Sequence, residues 1–159
     1  MTETEPAPEI ETSGARCIVG TARSYTMQTR NRIPEQWQAF FEAGHQIPDP
    51  VDGAMYGVSF DGNDAGFRYA VGVEVMQRPE VLPEGCCAVN LSEGAYAVLR
   101  LFGPPSDLPR HFDWLLNDWL AGSPYSYRDG AMFELYPEDA RNGPDGMAYE
   151  IWMPVERGA

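Results

Sequence analysis

The apolar positions of this chain follow two spacings in turn, and the same succession occurs twice. Residues 15–25 (ARCIVGTARSY) predict a strand. Ile33, Trp37, Phe40 and Phe41 then recur at i, i+4, i+7 and i+8, the stripe of an amphipathic helix that Pro34 opens and Gly44 stops. Residues 54–60 (AMYGVSF) and 69–75 (YAVGVEV) flank the polar stretch DGNDAG, which is the pattern of a β-hairpin. Further on, 94–103 (GAYAVLRLFG) predicts another strand. Leu108, Phe112, Leu115, Leu116, Trp119 and Leu120 mark a second helix, with Ser106 as its cap and Gly122 and Pro124 at its end. Residues 131–137 (AMFELYP) and 149–155 (YEIWMPV) enclose a second turn rich in Asp, Asn and Gly.

The order is β-α-β-β written twice, joined where Pro79, Pro83 and Gly85 interrupt the pattern. A single copy would leave one sheet face bare, so two copies packed together are the natural solution. The predicted fold is therefore α+β, with repeat one over about 14–78 and repeat two over about 86–156. Equivalent strands would surround a pseudo-two-fold axis, and the seam between the halves is a natural place for a central ligand cleft. The opening MTETEPAPEIETS is acidic, carries Pro and has almost no apolar content, which predicts a disordered acidic tail over 1–13.

Charge and composition remove several classes of function. A net charge of −13 opposes direct nucleic-acid binding, because phosphate contacts need clustered Lys and Arg. The chain has no stretch of 18 apolar residues and no signal-peptide pattern, so the expectation is a cytoplasmic protein without membrane association. Three Cys, of which Cys86 and Cys87 are adjacent, make no disulfide framework, and two His, 45 and 111, argue against a zinc site. No cofactor is expected either.

The candidate chemistry centres on AMFELYP, where Glu134 puts a carboxylate among strand-forming apolar residues. Burying it unpaired costs several kcal/mol unless it is protonated, hydrogen-bonded or matched by a cation. The matching stretch AMYGVSF has Gly57 at that position, so the strand does not need a carboxylate in order to fold. Alternation sets Glu134 with Met132 and Tyr136 on one face, and Phe133 with Leu135 on the other. The alternative is an exposed Glu on a solvent-facing strand. Trp37, Trp152, Tyr69 and Phe67 are candidate aromatic walls; each alone fits core packing, and together they fit a site for flat cations. Glu150 alternates with Trp152 and is a second candidate carboxylate, with an edge or solvent-facing position as its other reading.

FRYAVGVEV followed by Pro, GAYAVLRLFG, the helix ending in DWL, AMFELYP and the closing EIWMPV are similar, in order and spacing, to the GyrI-like small-molecule-binding domain. This is the effector-binding module found alone or fused to AraC-type and MerR-type multidrug regulators, and the resemblance spans about residues 14–156. It implies two SHS2-like β-α-β-β modules forming an effector-binding domain over 14–157, with an aromatic cleft in which Glu134 pairs with lipophilic cations. It also implies a stand-alone member, because no DNA-binding domain accompanies it. Three functions follow as expectations. The first is a binding module for amphipathic, often cationic aromatic compounds, with Glu134, Tyr136, Trp37, Tyr69, Phe67, Trp152 and Glu150 at the site. The second is a metal-free hydrolase of cyclopropane-bearing alkylators, a chemistry known in a branch of this family, with Glu134 as acid or base. The third is an acidic interaction protein that modulates a DNA enzyme or regulator. A protein partner or a homodimer is compatible with each.

Overall fold

A computed structural model describes residues 7–158 apart from Asp52. Among them are strands β1 (Glu9–Ser13), β2 (Arg16–Tyr25), β3 (Ala54–Asn63), β4 (Gly66–Val75), β5 (Cys87–Leu91), β6 (Gly94–Gly103), β7 (Tyr125–Tyr127), β8 (Met132–Pro137) and β9 (Met147–Arg157). Helix α1 (Ile33–Ala43) follows β2, and α2 (Leu108–Trp114) follows β6 and runs on as a π-helical turn over Leu115–Trp119. Pro34 lies in the first turn of α1, and Gly44 closes that helix in the left-handed conformation at φ 61°. Both predicted helices and both predicted hairpins are present. No helix among the described residues is long and apolar enough to cross a membrane.

The strands join antiparallel in the order β1-β6-β9-β8-β3-β4-β2-β5, with β7 added to the end of β9. Outward from the β8–β3 seam, the two directions meet the second, third and first strand of each predicted β-α-β-β unit. The two remaining strands are exchanged. β1 leads into β2 but pairs with β6, whereas β5 leads into β6 but pairs with β2. Each of these connections is two residues long, Gly14–Ala15 and Ser92–Glu93. Two residues reach about 10 Å, whereas the six strand spacings between β5 and β6 would span about 29 Å in a flat sheet. The sheet must therefore curl until its ends meet.

Curling explains how the face without helices is buried. Ile18, Tyr56, Val58, Val89, Leu91, Tyr96, Val98, Phe133 and Trp152 form one core there, and Val89 and Leu91 from one end of the sheet meet Tyr96 and Val98 from the other. Phe133 stacks on Trp152 with ring centroids 5.3 Å apart. Both helices pack on the opposite face. α1 covers β2 and β4 through Phe40 and Trp37 against Tyr69 and Val71. α2 and its π-helical turn cover β6 and β9 through Phe112, Leu115, Leu116 and Trp119 against Leu99, Ile151 and Met153. Between the helices, the paired β3 and β8 form a floor.

The structure corrects the predicted tail. Residues 9–13 are strand β1, not disordered chain; the first six residues of that stretch lie outside the described residues. Two of the acidic residues that suggested a solvated tail, Glu9 and Glu11, accept hydrogen bonds from Arg100. Ile10 lies between them, in register with Ala97.

Candidate functional site

The register of the floor decides what surrounds Glu134. β3 and β8 pair so that Gly57 faces Glu134, Met55 faces Tyr136 and Ser59 faces Met132. Residues facing each other across an antiparallel pair share one side of the sheet. Gly57 and Glu134, matched by sequence, are thus also direct partners in space. A Cβ on Gly57 would lie 1.9 Å from the Tyr69 hydroxyl and 3.0 Å from Glu134 Oε1. Gly57 therefore leaves the space through which Tyr69, on the neighbouring β4, reaches Glu134. A glycine inside a strand often marks such a close approach, so the signal was present in AMYGVSF.

Two phenols converge on one carboxylate oxygen. Tyr69 donates to Glu134 Oε1 at 2.7 Å and Tyr136 donates to the same atom at 2.8 Å. Trp37 of α1 donates its indole N–H to the Tyr69 hydroxyl at 3.1 Å and meets the Tyr136 ring edge-on, centroids 5.0 Å apart. Glu134 is only 3% exposed. Burial pushes its carboxyl up to about 7, although the hydrogen bonds from Tyr69 and Tyr136 pull the other way. Burial, followed by the charge of Glu134, raises both phenols well above their ordinary range, so they remain donors at neutral pH. Among the described residues, no basic side chain takes part in this network.

Glu134 and Tyr136 line a cleft of about 1860 Å³. Its walls are Ile33, Pro34, Trp37 and Phe41 on the α1 side and Leu108, Phe112 and Leu116 on the α2 side, with Met55 and Met132 in the floor. This volume exceeds the ~300–1,000 Å³ of a typical small-molecule pocket. Phe67 also lines it, and Tyr69 lies behind the lining with 1% of its surface exposed. Of the residues expected at the site, Glu134, Tyr136, Trp37, Tyr69 and Phe67 are therefore brought to this face.

Trp152 and Glu150 are not. In the β8–β9 pair, Ile151 faces Glu134, whereas Trp152 faces Phe133 and Glu150 faces Leu135. Both therefore belong to the helix-free face. There Trp152 donates to Glu150 at 2.9 Å and Arg16 lies over the Trp152 ring at 5.0 Å. Their alternation with each other was legible in the sequence. Their phase relative to Glu134 depends on register and was not. Sequence reasoning also missed Arg30 and Asp113, which line the cleft from opposite sides.

A curled antiparallel sheet, two helices on one face and an apolar cleft between them over a buried carboxylate define a small-molecule-binding α+β domain. The chain belongs to the family of GyrI-like small molecule binding domains, whose model matches residues 6–156. No curated protein sequence matches it. Among solved structures it is similar to SAV2435 bound to tetraphenylphosphonium, with a TM-score of 0.73 and 18% identity over 94% of this chain and 93% of that one. The EcmrR C-terminal domain is similar with a TM-score of 0.61 and 13% identity, over 94% and 97% of the two chains. A hydrolase from Listeria innocua is similar with a TM-score of 0.55 and 12% identity, over 96% and 93%. At these identities the likeness is one of fold.

Proposed function

We propose that this domain binds lipophilic aromatic cations in the cleft and that Glu134 selects their charge. The observation that carries the reading is the buried carboxylate itself, held at the floor of an aromatic cleft by two phenols and, among the described residues, by no basic side chain. Such a group is costly while empty and gains most from a cation that also fills the apolar space. Trp37, Tyr136 and Phe41 offer faces for flat rings, and apolar burial supplies affinity at about 25 cal/mol per Å². Contact with the carboxylate is not required, because a charge acts over several ångströms where water is excluded. The SAV2435 structure, with its bound tetraphenylphosphonium, supports the same chemistry in this cleft.

Glu134→Gln keeps the shape and an acceptor for both phenols but removes the charge. It is expected to weaken tetraphenylphosphonium about tenfold or more, and to leave the neutral triphenylphosphine oxide within about twofold, in fluorescence titrations. Equal weakening of both compounds would sink charge selection.

One observation favours a second reading. A carboxyl poised at about 7 is suited to exchange a proton near neutral pH, and the similar fold from Listeria innocua is a hydrolase. In that case Glu134 would activate a water that opens a strained cyclopropane. Mass spectrometry of an alkylator incubated with the protein decides it: no water adduct above the Glu134→Ala background removes this reading.

A further inference from the structure

Arg30, just ahead of α1, and Asp113, on α2, lie 83 residues apart in the chain and meet across the cleft. Nη1 donates to Oδ1 and Nη2 to Oδ2, both at 3.2 Å. Their side chains are 31% and 42% exposed, so the pair is open to solvent where Glu134 is buried, as suits the rim of the cleft. We propose that Arg30 and Asp113 form a charge clasp over the mouth of the cleft, which a cationic ligand opens by taking the place of Arg30 on Asp113. This extends the cation-binding reading above, on which it rests, from one carboxylate to two. Asp113 meets the ligand at the rim, and Glu134 acts on it from the floor.

Three features of the pair support this role. Arg30 is the basic side chain among the described lining residues, whereas Asp61, Asp113, Asp129, Glu134 and Glu138 are acidic. An unpaired guanidinium at the mouth would repel the proposed ligands, and Asp113 cancels it. Both N–O distances also exceed the ~2.7–2.9 Å of a tight charge-assisted pair, and both partners are wet, so the bond is easily exchanged. Finally, replacing one cation by another on Asp113 leaves that carboxylate paired, and the released Arg30, already 31% exposed, turns its charge to solvent, where it is screened from the ligand. Release of Arg30 also parts the α1 side of the mouth from the α2 side.

The test uses two probes of one shape and opposite charge, tetraphenylphosphonium and tetraphenylborate, titrated into the full chain by calorimetry. Arg30→Met frees Asp113 and is expected to tighten the phosphonium about threefold to tenfold. Asp113→Asn frees Arg30 and is expected to weaken it by a similar factor while strengthening tetraphenylborate. The double variant should return to within about twofold of the wild type, because neither charge is then left unpaired. Thermal unfolding of each variant checks that the fold is kept. Shifts of the same sign for both single variants would mean that the pair only braces the helices, and would overturn the clasp. No shift in either variant, beside a clear loss for Glu134→Gln, overturns the clasp and leaves the inner carboxylate standing. Shifts of opposite sign beside an unaffected Glu134→Gln sustain the clasp and overturn the inner carboxylate. A wild-type chain that binds no phosphonium overturns both.

Discussion

Glu134 is the residue on which the folded state spends stability. Its carboxyl moves from 4.5 to about 7 because burial penalises the charged form more than two phenols favour it. The folded chain therefore keeps a proton that the unfolded chain releases. Stability is full below pH 4.5 and is lost as pH rises toward 7, by about 3 kcal/mol in all. Glu134→Gln removes this titration, so the variant should gain on the wild type across that window and stay level beyond it; urea unfolding at the two ends of the window measures the gain. The same shift governs the ligand. A cation prefers the ionised carboxyl, so its affinity should rise as pH increases toward 7 by about the factor lost in Glu134→Gln, level off above, and be flat in that variant. A wild-type affinity independent of pH would separate Glu134 from the ligand's charge.

At the scale of the element, helix α1 is pinned by one polar side chain. Gln36 is fully buried, donates to the Thr21 and Tyr69 carbonyls at 2.9 and 3.0 Å, and accepts the Tyr25 hydroxyl at 2.8 Å. Every polar atom of its amide group is thus engaged, which is the condition for burying an amide without penalty. The next residue, Trp37, carries the indole that holds Tyr69. Gln36→Leu should cost about 2–4 kcal/mol, because it strands the Tyr25 hydroxyl and two carbonyl acceptors. It should also weaken cation binding, since the Trp37–Tyr69 bond depends on where α1 sits. Denaturant unfolding and a phosphonium titration read the two effects separately.

At the scale of the whole molecule, the exchanged strands hold the two halves together. β1 covers the edge of β6, and Glu9, Glu11 and Glu150 all meet Arg100 there. Removing residues 1–13 would take away that strand and leave Gly94–Val98 as an open edge. The expected result is a melting temperature lower by about 5 °C, with self-association through the bared edge. Scanning fluorimetry and size-exclusion chromatography report these outcomes. An unchanged melting temperature would show that β1 adds nothing to the fold.

The sequence alone determined the helices, the two hairpins and the anomaly of a carboxylate at Glu134, because each depends on local pattern. A carboxylate in AMFELYP stands out against its neighbours, Tyr136 shares its face at a spacing of two, and Trp37 lies on a helical stripe. What only the tertiary structure decided are the relations carried by register and curvature. Glu9 and Glu11 look solvated until Arg100 is placed beside them. Trp152 and Glu150 alternate correctly with each other, but the pairing of β8 with β9 turns them away from Glu134. Gly57 matters because β4 brings the Tyr69 hydroxyl across it, and Arg30 meets Asp113 only once the sheet sets the two helices side by side. A one-residue change of register moves every side chain of a strand to the other face, so no reading of one strand by itself could settle these contacts.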